Sequence, residues 1–80
     1  MMNELKEFKE WIRLKLDISP NSVKDIVSRY RRANKILPFY NDPVYIFYLE
    51  NTDEYKKLAC TVRSQIKRAI HLYMEWLSSR

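Results

Sequence analysis

Apolar residues return every three or four positions along three separate stretches of the chain. Leu5, Phe8, Ile12 and Leu16, with Trp11 beside them, have the spacing of an amphipathic helix and Asn3 suits an N-cap, so a first helix is predicted over 4–16. A second stripe, Val23, Ile26, Val27, Tyr30, Ala33 and Leu37, predicts a helix over 20–37. Ser19 before Pro20 reads as N-cap followed by N1, where proline lacks only an N–H that the helix does not use. Pro38 ends it, because the residue before a proline is pushed out of the α region. "PFYNDP" is a turn in which Asp42 and Pro43 repeat the cap-then-proline signal. "VYIFYLE" favours a strand by composition, yet no second strand is visible to pair with it, so a short, largely buried helix over 43–50 is predicted. Thr52, with Asp53 and Glu54 in the first turn, opens a last helix over 53–79. Its stripe is Tyr55, Leu58, Ala59, Val62, Ile66, Ala69, Ile70, Tyr73 and Leu77; a break near 60, with Thr61 capping the second segment, would divide it.

Eighty residues without an internal repeat make one small all-α domain, a compact four-helix bundle, or five-helix if the last helix breaks. The chain is 46% hydrophobic, too apolar for a disordered tail. It contains no glycine, so the phosphate-cradling loops of P-loop or dinucleotide sites cannot form, and nucleotide cofactors drop out. One cysteine, Cys60, and one histidine, His71, cannot close a disulfide or assemble a zinc site, so no metal and no cofactor is expected. Cys60 is read as a small half-buried filler, His71 as a solvated helix residue, and Trp11 and Trp76 as packing residues near the ends of the bundle. No apolar run approaches the roughly 18 residues that span a bilayer, and the first ten residues lack the order of a signal peptide. A cytoplasmic protein without a membrane partner is expected.

Charge adds what periodicity cannot. The net charge is +5. Residues 19–37 carry five basic groups against one acid, and 61–80 carry four against one; 1–18 balance and 38–60 are net acidic. Turning the second helix at about 100° per residue puts Asn21, Lys24, Ser28, Arg31, Arg32 and Lys35 on the face opposite its core stripe, with Ser22 in the first turn. On the last helix Arg63 and Lys67 lie along one flank of the stripe, Ser64, Arg68 and His71 further round, and Gln65 on the other flank. Arg, Lys, Ser, Asn and Gln are the side chains that reach phosphate oxygens and base edges, so two such helices suit duplex DNA. Base discrimination would fall to Asn21, Ser22, Ser28, Ser64 or Gln65 with a bidentate arginine such as Arg63.

"FKEWIRLKLDISPNSVKDIVSRYRRANKIL" and "TVRSQIKRAIHLYMEWL" together resemble the core-binding domain of tyrosine recombinases and phage integrases, a small SAM-like helical domain that precedes the catalytic domain. The resemblance covers nearly the whole chain. It rests on Ser19-Pro20-Asn21-Ser22-Val23 with Ile26 three positions on, on the pair Thr61-Val62, and on the aromatic-rich run from Leu72 to Leu77. It implies a domain that clamps one side of a recombination-site duplex, with the second and last helices against the major groove and its flanking phosphates. It also implies a monomer as an isolated domain and a parent protein that is oligomeric on DNA. The catalytic tyrosine with its arginine-rich surroundings cannot be traced here. No enzymatic activity is therefore expected, and Tyr30, Tyr55 and Tyr73 are assigned to the core.

Two rival readings stay open. A helical protein-interaction module would use Tyr40, Tyr45, Phe47 and Tyr48 as an exposed aromatic surface. A free-standing helix-turn-helix regulator would use the short "LDIS" link and dimerise on a palindrome.

Overall fold

Capping side chains decide where two of the helices begin. The computed structural model describes residues 2–79, with side chains from Leu5 onward, and its helices are α1 (Met2–Leu16), α2 (Pro20–Ile36), α3 (Val44–Glu50), α4 (Asp53–Lys56) and α5 (Cys60–Ser78). Helix accounts for 79% of the described residues, and no strand forms among them. No helix among them is long and apolar enough to cross a membrane.

Ser19 caps α2 as its sequence context requires, its hydroxyl accepting from the Ser22 amide with Pro20 in the first turn. Thr52 does the same for α4, accepting from the Tyr55 amide. Asn3 is not ahead of α1 but inside it, and its side chain lies outside the described residues. At the start of α3 the signal is displaced by one residue. Pro43 takes the N-cap position in a helical conformation, and Asp42 Oδ1 reaches over it to accept from the Val44 amide. The chain has no glycine for the turn after α1, so Asp17 takes a positive φ of 50° there, the left-handed region that a short polar side chain tolerates best.

The last predicted helix is two helices. The break falls at 57–59, and the N-cap of α5 is Ala59, which has no side-chain acceptor; Thr61 sits within the first turn instead of capping it. Ala59 is consequently exposed and not part of the stripe, and Cys60 is exposed where a half-buried filler was expected. α3 also departs from expectation, for only Tyr45, Ile46 and Leu49 are buried while Val44, Phe47 and Tyr48 face outward. A helix of two turns lying on the edge of a bundle has neighbours on one side only.

α2 packs most extensively on α5, and α1 lies against both. An aromatic cluster fills the space between them. The Tyr30 and Tyr73 rings stack with centroids 4.1 Å apart, and Phe8 meets Tyr73 edge-on at 5.0 Å. Phe39, from the loop after α2, packs edge-on against Tyr30, Tyr45 and Tyr73. Trp76 is buried against Phe8, whereas Trp11 is half-buried, stacked on Phe8 with the Lys15 ammonium 5.2 Å from its ring. The radius of gyration, 12.3 Å, is close to the roughly 12 Å expected for a chain of this length.

Candidate nucleic-acid interface

The stripe of α2 turns Val23, Ile26, Val27, Tyr30 and Ala33 into the core, which forces its polar side chains outward. Asn21, Lys24, Ser28, Arg31, Arg32 and Lys35 are all exposed, and Ser22 is half-buried beside Ser19. Because α5 packs alongside, one edge of this face becomes a groove shared by the two helices. Ser28 and Arg32 line it with Arg29 and Asp25 from α2 and with Gln65 from α5, around a volume of about 240 Å³. Arg29 Nε donates to Gln65 Oε1 at 3.1 Å, tying the two walls together. The groove's neighbour along α2 is lined by Ser22, Asp25, Arg29 and, from α5, Arg68. On the other edge of α2, Lys24, Ser28 and Arg31 share a depression with Lys9 of α1.

The remaining predicted residues lie elsewhere on α5. Arg63, Ser64 and Lys67 line a groove on the flank away from α2, opposite Glu50 of α3 and Tyr55 of α4, with Cys60 at its edge. Lys67 Nζ lies 3.2 Å from Glu50 Oε2, so that cation is paired within the chain. Arg63 is half-buried, and its backbone carbonyl accepts from the Tyr55 hydroxyl at 2.9 Å. Burial, reinforced by the Glu50 carboxylate, raises the Tyr55 phenol above its ordinary pKa, so it stays a donor. The structure thus gathers Ser22, Ser28, Arg32 and Arg68 along one seam, and sets Arg63, Ser64 and Lys67 in another groove. Asn21 and Lys35 lie exposed near the two ends of α2.

Arg29 and Lys9 join the seam and its border although neither stood out in the sequence. Both sit on helix flanks, between core and solvent, where a residue's surroundings depend on which helix packs beside it. Gln65 was recognised as a flank residue, but its partner could be known only once α2 and α5 were adjacent.

A second feature is aromatic. Tyr40, Val44, Phe47 and Tyr48 are exposed together, Phe47 at 62% and Tyr48 at 53%. Tyr45, assigned to this surface by the interaction-module reading, is instead fully buried. Its hydroxyl donates to the Leu37 carbonyl at 2.6 Å and lies 3.4 Å from that of Ala33, so the ring must point inward to serve the end of α2. No group of three or more His, Cys, Asp or Glu side chains among the described residues is placed to hold a metal ion. The chain matches no known family, no curated protein and no solved structure.

Proposed function

We propose that this chain is a duplex-DNA-binding domain, of the kind its resemblance to recombinase core-binding domains implies, acting through α2 and the edge of α5 packed beside it. The observation that carries the reading is the seam itself. Arg32 with Ser28 and Gln65, and Arg68 with Ser22, line two neighbouring grooves that share Asp25 and Arg29 along the contact of α2 with α5, while Lys24, Arg31 and Lys35 extend the cationic face along α2. In this reading the lysines and arginines neutralise backbone phosphates and release counterions, and Asn21, Ser28 and Gln65 stand where base edges would be met. Arg29 holds Gln65 in position across the groove. The chain contributes recognition rather than catalysis, and binding by this domain alone is of micromolar strength or weaker.

The test is a titration of labelled duplex at two salt concentrations, with wild type and an Arg31→Glu, Arg32→Glu, Arg68→Glu variant whose helicity is checked by circular dichroism. The variant should lose more than about tenfold in affinity and show a salt dependence shallower by two to three counterions. Equal affinities for the two proteins would discard the α2–α5 face. Sedimentation on the same duplex distinguishes the monomer expected here from the dimer that a helix-turn-helix regulator requires.

The exposed Tyr40, Val44, Phe47 and Tyr48 favour protein interaction as a second reading. Under that reading Phe47→Ser with Tyr48→Ser abolishes partner capture and leaves DNA affinity unchanged.

A further inference from the structure

The groove between α4 and α5 contains an arrangement that packing does not explain. Arg63 is half-buried on one wall, and its Nε is shielded from solvent with no hydrogen-bond partner among the described residues, a rare condition for a charged donor. Lys67 and the exposed Ser64 stand along the same wall, one helical turn apart from each other or from Arg63. Opposite them, Glu50 is the only acid among the described residues lining the groove; its carboxylate holds Lys67 at 3.2 Å while both side chains stay substantially exposed, Lys67 at 44% and Glu50 at 39%. The groove is open to solvent and offers about 200 Å³, room for one tetrahedral oxyanion.

The geometry points to a phosphate seat formed by Arg63, Ser64 and Lys67, which Glu50 occupies as an internal competitor until a phosphate displaces it. A carboxylate and a phosphate oxygen are alternative acceptors for the same ammonium, and the phosphate offers further oxygens to the Arg63 guanidinium and the Ser64 hydroxyl. An ion pair this exposed is weak enough to exchange. The inference rests on the DNA-binding reading for the source of the phosphate, a duplex backbone, but not for the seat itself.

Four proteins test it: wild type, Glu50→Gln, Glu50→Gln with Lys67→Gln, and Glu54→Gln as a control of equal charge change outside the groove. Each is titrated with duplex DNA and, separately, with inorganic phosphate while the Arg63 Nε–Hε resonance is followed. The expected result is that Glu50→Gln binds duplex about two- to fivefold more tightly, with a salt dependence steeper by about one counterion. Adding Lys67→Gln should cancel the gain, and Glu54→Gln should produce little of it. If wild type binds DNA but Glu50→Gln gives no gain, or Glu54→Gln gives the same one, the seat is overturned and the DNA-binding reading is untouched. If no protein binds duplex but phosphate moves the Arg63 resonance more strongly in Glu50→Gln, the seat stands with free phosphate as its ligand and the DNA-binding reading falls. Silence towards both ligands overturns both.

Discussion

Tyr45 shows how one side chain can close the account of a helix end. α2 stops at Ile36 because Pro38 follows, which leaves its last carbonyls without helical donors. The Tyr45 hydroxyl supplies one from α3, and burial, helped by the neighbouring Tyr40 phenol, pushes its pKa from 10.0 up to about 12. The fold therefore favours the neutral phenol. This contribution to stability is complete below pH 10, the unfolded value, and is lost as pH rises from 10 towards about 12. Urea midpoints measured at pH 8 and pH 11.5 should show wild type losing more stability over that interval than Tyr45→Phe. At pH 8 the Phe variant should be about 1 kcal/mol less stable, the usual cost of a buried hydrogen bond.

Among the elements, α4 and α5 hold the least expected arrangement. Neither glycine nor proline separates them, and the apolar spacing runs on without interruption from Tyr55 to Leu77. In a continuous helix Tyr55 and the Arg63 carbonyl would stand about 12 Å apart along the axis. Their 2.9 Å hydrogen bond exists only because the chain breaks at 57–59 and turns. The new helix starts at Cys60, and Ala59 before it takes the N-cap position with extended backbone and no capping side chain. Ala59→Asp should accordingly stabilise the protein by about 1 kcal/mol, raising the melting temperature by several degrees, since it adds an acceptor and a negative charge where α5 has neither. A lower melting temperature would mean that α5 does not start there.

In the whole molecule, the core and the proposed DNA-binding face occupy opposite sides of the same helices. Phe8 is fully buried and touches Trp11, Tyr30, Tyr73 and Trp76, so it links α1 to both α2 and α5. Phe8→Ala should cost about 3–5 kcal/mol, a large fraction of what a domain of this size possesses, and thermal melts should show it largely unfolded near physiological temperature. The Lys15–Glu75 pair between α1 and α5 is exposed and contributes little by comparison. The charged residues of α2 can therefore be changed at small cost in stability, which is what makes the proposed titrations interpretable.

The order of helices, the starts of α2 and α4 and most of the core follow from the chain alone, because caps, prolines and a three-to-four spacing act within one turn. So does the outward placement of Lys24, Arg31, Arg32 and Lys35, since a helix with one buried stripe must expose its opposite face. What the sequence could not carry was adjacency. That Arg29 reaches Gln65, that Glu50 holds Lys67, that Tyr45 turns inward and that α5 begins at an uncapped alanine all depend on which surfaces meet. Those contacts join residues between 8 and 36 positions apart, and a local pattern sets the direction of a side chain without identifying its neighbour. Packing chose the partners, because only the assembled core fixes how each helix is set against the next.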